Sequence, residues 1–370
     1  MIPVIVILYI NLKVPTLSII IYFMYVDNLC RIKQGRKGMK NGSLTRYKIL
    51  EILSEAKKTG IPISGSKIAE SLSISRNAVW KAIKSLKSEG YKIKSEQSIG
   101  YSLIDNIDIL SKEKISSNIE DKSTKIIILN STSSTNSYAK NIEKSDCPIV
   151  VIANEQTGGR GRFGRTFLSP KGSGIYMSYV FKPLFPLNEI LKVTPITALL
   201  VLKTIKEVTG VDVSIKWVND IYKEDRKVTG ILTESIGSLD TGNVEHIVIG
   251  IGINCFKTSI PLELENTIGF LTEEKEPSFT RNEIIFNLIN ILNKTFSNKE
   301  TLTPKMFIND YRKNCFIIGK KVKLIRPGKE NCIAKVENIN DNFELVATVL
   351  SGTEAGKHIN ISSGEVSIKF

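Results

Sequence analysis

The sequence predicts an α+β protein of several domains: an N-terminal winged helix-turn-helix, a central mixed α/β domain and a C-terminal β-barrel of the SH3 type. Near the N-terminus, two short helical patterns are followed by two strand patterns with a polar tip between them. In the middle of the chain, apolar strand-like runs alternate with helical patterns and end in small polar residues. Residues 316–370 consist of short alternating strands separated by turns.

The net charge narrows the class of partner. A chain of 370 residues is long enough for two or three domains, and its formal net charge is +14. This charge favours an acidic partner, nucleic acid above all. A lysine-rich solvated surface is the alternative explanation, and the charge alone does not decide between them.

The cysteines and histidines indicate a reduced environment and assign no metal site. Five cysteines are widely spaced without a Cys-x-x-Cys pair, and the two histidines, His246 and His358, are far apart. A zinc site or a disulfide framework is therefore not expected, and reduced thiols in the cytoplasm fit better.

Residues 1–38 form an apolar leader outside the predicted domains. In the first 26 residues Lys13 is the only charged side chain, and Pro15 interrupts the apolar run. We expect a start codon placed too early, with Met39 as the true initiator and no stable membrane association. A membrane anchor with a basic cytoplasmic flank is the alternative.

Residues 44–103 read as the winged helix. Helical spacing covers residues 44–57, Ser66 is expected to cap a second helix, and Ser75 is expected to cap a third. One face of the third helix is apolar, and the other carries side chains that reach base edges and phosphates. The candidate DNA-binding residues are Ser75, Arg76, Asn77, Lys81 and Lys84. A helical protein–protein module with a basic solvated face is the alternative.

The remaining boundaries follow from composition and helix signals. A polar connector is predicted for residues 104–122, and the central domain for residues 123–312. A long helical pattern covers residues 187–208, and a capping box that begins at Thr280 opens a helix towards residue 296.

An arginine loop, residues 158–165, alternates three arginines with glycines between two apolar runs. Glycine allows close backbone approach to a ligand, and arginine offers a planar fork of permanent charge. The loop thus predicts binding of a phosphate or carboxylate. It matches neither a P-loop nor a Rossmann turn. A flexible RNA-binding tract is the alternative.

Polar side chains recur at the ends of predicted strands. They are found in residues 133–137, after the strand 125–129; in residues 216–220; and at Asn254, after the apolar run 247–253. Strand ends of this kind are where ligand sites on sheet scaffolds usually form.

These motifs, in this order, resemble the biotin protein ligase family from about Arg46 to the C-terminus. The matching segments are Ser134-Thr135-Asn136, Gln156, the arginine loop, Lys216-Trp217-Val218-Asn219-Asp220, residues 227–232 and residues 250–254. This chain departs from the family pattern at three positions. Val218 stands where the family usually has Pro, Thr229 where it has Ala or Gly, and Phe167 where it often has Trp. We expect the first two departures to alter loop stiffness and the third to keep an aromatic face.

The resemblance implies a central domain of the biotin/lipoate ligase type and a two-step reaction. Biotin and ATP give biotinyl-5′-adenylate with Mg²⁺, and a lysine of a biotin carboxyl carrier protein or domain then takes the biotinyl group. The winged helix resembles that of ligases that also repress the biotin operon. It implies operator DNA as a partner, a ligand-induced homodimer and the adenylate as corepressor.

The resemblance also implies the site residues. The catalytic set is Lys216, Arg160 and Arg162. The biotin-binding set is Ser134, Thr135, Asn136, Gln156, Arg160, Gly161, Arg162, Lys216 and Gly230. The adenylate-binding set is Arg162, Arg165, Phe167, Asn219 and Asn254.

Plainer roles stay open for several of these residues. Residues 134–136 are also a good N-cap for a helix over residues 137–143. Lys216 is also consistent with an exposed strand lysine, and Asn254 with a turn residue. Trp217 is expected in the core.

Two other functions remain open at this point. One is a biotin-sensing repressor that binds its ligand without reacting, against which the presence of Arg160, Arg162 and Lys216 argues. The other is a ligase for lipoate or another short acyl acid, because specificity within this chemistry is hard to read from a sequence.

Overall fold

A computed structural model of the chain describes residues 41–88, 91–96, 98–104, 108–185, 189–238, 243–274, 277–297, 304–326, 330–362 and 364–367. The predicted leader, residues 1–38, lies outside the described residues. The chain divides into two compact units at residue 107. Within the described part of the chain, no helix combines the length and apolar character needed to span a membrane.

Over its described residues, the first unit has three helices and a two-stranded antiparallel sheet. Its elements are α1 (Asn41–Thr59), α2 (Gly65–Leu72), α3 (Arg76–Ser88), β1 (Ile93–Glu96) and β2 (Gly100–Leu103). The helices bury a shared apolar core, in which Ile49, Leu53, Ile68 and Val79 are fully buried. This arrangement confirms the predicted N-terminal helix-turn-helix with its strand pair.

The cap of α2 differs from the prediction. Ser64, not Ser66, is the N-cap: its backbone is extended, and its side chain accepts a hydrogen bond from the amide of Lys67 at 3.2 Å. Ser66 lies inside the helix, two residues too late to accept from that amide. At α3 the predicted cap is found, since the amide of Ala78 donates to the Ser75 hydroxyl at 3.1 Å.

The second unit is built on a seven-stranded mixed sheet. Its strand order is β3-β4-β5-β9-β8-β7-β6. The β3–β4 pair is parallel, and the other five neighbouring pairs in this order are antiparallel. The strands are β3 (Lys125–Leu129), β4 (Ile149–Ala153), β5 (Gly174–Phe181), β6 (Ser214–Lys216), β7 (Asp220–Lys223), β8 (Arg226–Ser238) and β9 (Asn243–Asn254). The helices are α4 (Lys112–Asn118), α5 (Thr135–Asn141), α6 (Ile190–Thr209), α7 (Arg281–Phe296) and α8 (Pro304–Asn314).

Successive side chains along a central strand point to opposite faces of the sheet, and both faces are buried. In β4, Val150 and Ile152 join the large core that contains residues of α6 and α7, whereas Ile149 and Val151 pack in a smaller cluster with Ala139 of α5. Because both faces are covered, the predicted apolar runs are continuous rather than alternating. The capping box that opens α7 is present as predicted.

Five antiparallel strands form the C-terminal sheet, in the order β13-β12-β11-β10-β14. They are β10 (Lys321–Ile325), β11 (Cys332–Ile339), β12 (Leu345–Val349), β13 (His358–Ile361) and β14 (Glu365–Ser367). Early in β11, buried Cys332, Ala334 and Val336 alternate with exposed Ile333 and Lys335. The sheet therefore has one core-facing side, which joins the core of the central sheet.

Candidate active site

A cavity of about 520 Å³ opens between three parts of the chain: the polar residues at the ends of the strands, the arginine loop and the start of α5. Every residue predicted for catalysis, biotin binding or adenylate binding lines it, except Asn254. Segments as far apart in sequence as residues 134 and 230 thus converge on one site.

The start of α5 both caps the helix and lines the cavity. The Ser134 hydroxyl accepts a hydrogen bond from the amide of Ser137 at 3.4 Å. Thr135 donates to Gln156 Oε1 through its amide at 2.8 Å and its hydroxyl at 3.1 Å. Gln156 in turn donates to the Ser169 hydroxyl at 2.9 Å. Helix capping and a position in the cavity lining therefore coexist in this segment, and hydrogen bonds hold helix α5 to the loop that contains Gln156. Its predicted contact with biotin stays a prediction.

Asn136 is buried, and other protein groups hold its amide. Its Nδ2 donates to Glu234 Oε2 at 2.7 Å and to the carbonyl of Leu232 at 3.3 Å. Its Oδ1 accepts from the Ser178 hydroxyl at 2.5 Å. Both amide hydrogens have acceptors, so Asn136 supports the cavity floor and has one acceptor position left for a ligand.

Glu234 and Ser178 were not predicted as site residues. They lie 98 and 42 residues from Asn136 in the sequence. One signal could have found Glu234: strand alternation places it on the same face of β8 as Gly230 and Leu232. Ser178 lies inside an otherwise apolar run, and no local pattern marks it.

Cations surround the Glu234 carboxylate. Burial raises the pKa of Glu234, but hydrogen bonds from Lys140 and Asn136 and the charges of Lys140 and Arg160 outweigh burial, so its pKa lies below the ordinary value. Lys140 also forms an ion pair with this carboxylate. Glu234 is therefore an anion at neutral pH and attracts Arg160 towards the cavity floor.

The arginine loop is held against the rest of the cavity at two points. Arg160 donates to the hydroxyl of Ser137 on α5. Arg162 donates to Asn219 Oδ1 at 3.2 Å. Within the loop, Phe163 has a left-handed backbone, with φ of 55°, and its ring is 60% exposed. The loop thus presents its guanidinium groups to the cavity and leaves an aromatic ring in solvent.

The Phe167 ring packs against two glycines of the central sheet. Gly230 of β8 and Gly252 of β9 are direct partners in the sheet. A Cβ atom at Gly252 would lie 2.5 Å from the Phe167 ring, and one at Gly230 would lie 3.1 Å from it. The sheet therefore needs glycine at both positions for this aromatic wall to form.

Lys216 lies at the end of β6, beside a buried tryptophan. Its Nζ is 3.5 Å from the hydroxyl of Tyr222 and 5.4 Å from the centre of that ring. Trp217 is 4% exposed, which confirms its predicted place in the core. The Trp217–Val218 peptide bond is cis. Asp220, two residues further, forms a 2.7 Å ion pair with Lys227.

Asn254 ends β9 away from the lining of the cavity. Its Nδ2 is 3.5 Å from the carbonyl of Lys227, and its own carbonyl accepts a hydrogen bond from Leu271. These contacts fit the plainer role of a residue that closes a strand. Its predicted contact with a nucleotide stays a prediction.

Comparisons with known proteins identify a ligase family and a helix-turn-helix domain in the chain. A model of the biotin/lipoate A/B protein ligase family matches residues 128–254, and a helix-turn-helix domain model matches residues 45–102. The bifunctional ligase/repressor BirA of Bacillus subtilis (strain 168) is 33% identical over 260 residues, which cover 69% of this chain and 79% of the relative. Its namesake in Escherichia coli (strain K12) is 30% identical over 270 residues, covering 72% and 82%.

A solved structure gives the same assignment. The biotin protein ligase from Aquifex aeolicus in complex with biotin and ATP is 26% identical, with a TM-score of 0.52. The match covers 66% of this chain and 97% of that one. On the fold, the site and these relatives together, the chain belongs to the biotin protein ligase family, in its group of bifunctional ligase/repressors.

Proposed function

We propose that this chain joins biotin to a lysine of a carboxylase carrier domain through biotinyl-5′-adenylate, and that the adenylate is also the corepressor for DNA binding. One observation carries the catalytic part: Arg160, Arg162 and Lys216 line a single cavity together with neutral polar side chains, glycines and apolar side chains. Such a cavity suits a small ligand with a polar head and an anionic end.

The three cations supply what the first step needs. The biotin carboxylate must attack the α-phosphate of ATP and displace pyrophosphate. Two unit charges about 4 Å apart repel by roughly 4 kcal/mol at an effective dielectric of 20. Arg160, Arg162 and Lys216 offset this repulsion and the charge that grows on the phosphate oxygens. The carboxylate is its own nucleophile, so the reaction uses no histidine; both histidines lie outside the lining.

Mg²⁺ would enter with the nucleotide. Across the described ranges, no group of three or more His, Cys, Asp and Glu side chains is arranged to hold a metal ion. Asp220 is the carboxylate among the described lining residues. Mg²⁺ commonly binds through one or two carboxylates together with substrate phosphates. Asp220 therefore fits as its protein ligand, and the ion would neutralise phosphate charge.

The second step transfers the biotinyl group. The lysine amine of the carrier attacks the acyl carbon of the adenylate, the new C–N bond forms, and the C–O bond to phosphate breaks as AMP leaves. The mouth of the cavity must therefore admit a lysine side chain from another protein. Phe163, exposed on the arginine loop beside the cavity, is placed to meet that carrier.

The repressor part rests on the first unit. Ser75, the cap of α3, is exposed. Four residues of the helix itself are also exposed, away from its buried face: Arg76, Asn77, Lys81 and Lys84. We assign them to operator contacts and infer a homodimer that forms when the adenylate binds, because two winged helices at fixed spacing read a palindrome far better than one.

Several finer assignments belong to the same proposal. We assign the C-terminal sheet to the SH3-like barrels, and the domain bounds to residues 44–103, 123–312 and 316–370, with a connector over 104–122. A cytoplasmic location is supported by Cys255, Cys315 and Cys332, which are buried free thiols.

One assay separates the leading function from both alternatives. The full chain is incubated with ATP and labelled biotin, or with ATP and labelled lipoate, and the adenylate is sought. We expect biotinyl-5′-adenylate, and then label on an added carrier domain. Adenylate with lipoate alone would make the chain an acyl ligase of another specificity. Biotin binding without adenylate would leave a non-catalytic sensor.

A further inference from the structure

The exposed face of α3 carries an aromatic side chain that lies outside the buried apolar core of its own unit. Trp80 is 53% exposed. The apolar face of the helix consists of other residues, Val79, Ala82, Ile83 and Leu86, all buried. Tryptophan is enriched at contact surfaces relative to the rest of a protein surface.

The surroundings of Trp80 are cationic. Helix α3 contains no acidic residue, and Arg76 and Lys84 lie one turn before and after Trp80. Lys84 Nζ lies 5.3 Å from the centre of the indole ring. The ring thus occupies the middle of an exposed strip, with cations at both ends. An anionic surface that also presents apolar groups is complementary to such a strip.

Duplex DNA meets both conditions. Its phosphates are the anions, and the major groove carries one apolar group, the 5-methyl of thymine. Phosphate contacts position a protein without reading sequence, whereas groups that touch base edges carry the specificity. Cations at the ends of the strip can reach phosphates while the central indole lies over the bases.

We propose that Trp80 is a base-reading residue of this helix, whose indole packs on a thymine methyl group in the major groove. The proposal rests on the DNA-binding part of the proposed function. The candidate DNA contacts of this helix are otherwise polar or cationic, and Trp80 adds an apolar contact that confers sequence preference.

The test uses the full chain with biotin and ATP. Duplexes are selected from a random-sequence library by the wild-type protein. Each thymine of the selected site is then replaced in turn by deoxyuridine, which lacks only the methyl group. For wild type we expect one or two positions at which affinity falls by about fourfold, the value for about 0.8 kcal/mol per buried methyl-sized group. For Trp80→Ala we expect no effect at those positions.

The salt dependence of DNA affinity distinguishes a residue that contacts bases from one that contacts phosphates. Trp80→Ala should weaken binding to the selected site by on the order of tenfold and leave the salt slope unchanged. Lys84→Ala should weaken selected and random duplexes alike and reduce the slope by about 1. If Trp80→Ala also lowered the slope and weakened random duplexes, the indole would serve only to place Lys84, and the proposal would fail.

Two further outcomes are decisive. Equal deoxyuridine effects in wild type and Trp80→Ala would overturn base reading by Trp80 and leave the repressor function intact. Failure to select any duplex would reject DNA binding, and this inference with it, while the adenylation assay would be unaffected. Trp80→Phe, which keeps an aromatic face, should retain the methyl dependence, and thermal melting of each variant checks folding.

Discussion

The indole nitrogen of Trp217 donates a 2.8 Å hydrogen bond to the backbone carbonyl of Phe343, 126 residues away. Phe343 lies in the turn between β11 and β12, has a left-handed backbone with φ of 60°, and is buried. Tyr311 of α8 contacts the residue that follows Trp217, since its hydroxyl donates to the carbonyl of Val218 at 3.2 Å. The C-terminal region thus holds the residues that immediately follow Lys216.

Trp217→Phe should therefore affect both stability and adenylation. The variant keeps an aromatic ring in the core but leaves the buried carbonyl of Phe343 without its donor, which costs about 1–3 kcal/mol. We expect this loss in urea unfolding and a lower rate of adenylate formation, because Lys216 loses its fixed neighbour. Trp80→Phe is the matched control and should change neither quantity. A wild-type adenylation rate in Trp217→Phe would refute the positioning role.

Lys216→Ala or Arg160→Ala should abolish most adenylate formation without unfolding the protein. Both side chains line the cavity, and removing one preorganised group that stabilises developing charge typically costs about 100-fold to 1000-fold in rate. The measurement is single-turnover formation of biotinyl-5′-adenylate, with the thermal midpoint as the folding check. Lys203→Ala removes a half-exposed lysine that is paired with Asp310 and should retain full activity. Near-normal turnover in either cavity variant would remove it from the catalytic set.

Local patterns predicted most of the fold and many of the residues that line the cavity. Helix caps, strand runs and the capping box at Thr280 depend on neighbours within a few residues, and the structure has them close to the predicted places. The arginine loop and the strand-end motifs were recognisable because glycine, arginine and small polar residues have restricted structural uses. The prediction of Ser66 as the cap was wrong because Ser64, two residues earlier, offers the same side chain, and its extended backbone makes it the N-cap.

Partners that are distant in sequence could not be read in this way. The buried guanidinium of Arg281 bonds to Asp108, Asn154 and the carbonyl of Gly174, and only folding brings these groups together. The same holds for Glu234 and Ser178 beside Asn136. Periodicity identifies which face of a strand is buried, but it does not identify the side chain that packs opposite.

Gly252→Ala should weaken ligand binding by displacing Phe167. The new methyl would lie 2.5 Å from the Phe167 ring, and overpacking of this kind costs about 1–3 kcal/mol. We expect a weaker dissociation constant for biotinyl-5′-adenylate by calorimetry. Adding Phe167→Leu should restore part of the loss, which a double-mutant cycle measures.

Gly250→Ala is the matched control for that cycle. It lies on the same strand, and its methyl would clash at the same 2.5 Å distance, but with Asn136 instead of Phe167. Phe167→Leu should therefore not relieve it. If Phe167→Leu restored the affinity of both glycine variants equally, the Phe167 ring would not pack on Gly230 and Gly252.

Acid should destabilise the protein in part through Glu234. Its pKa is lowered in the folded state, so its contribution is fully present above the ordinary value of 4.5 and is lost as the pH falls through the folded pKa. Glu234→Gln should flatten the fall in unfolding free energy below about pH 4.5, measured with urea. Lys140→Met, which removes the partner charge, should flatten it as well. An unchanged pH profile in both variants would contradict the ion pair as a source of stability.

We expect the adenylate to act on DNA binding through the arginine loop. A glycine-rich loop loses conformational entropy when it closes on a ligand, and charge-assisted contacts must offset that loss. Arg162, which reaches Asn219 at 3.2 Å, is placed to supply them. If the closed loop completes a dimer surface, adenylate and operator must favour each other reciprocally, typically by about 5-fold to 150-fold.

We therefore expect biotinyl-5′-adenylate to raise the affinity of the wild-type chain for a palindromic biotin-operon site, and Arg162→Ala to weaken this rise. The adenylate is added preformed and at saturation, so that a defect in making it cannot be mistaken for a defect in responding to it. Lys84→Ala is the control: it should lower affinity for DNA by the same factor with and without the adenylate, because it acts on phosphate contacts and not on dimer formation. Equal operator affinity of the wild type in the two conditions would reject the corepressor mechanism and leave the ligase function standing.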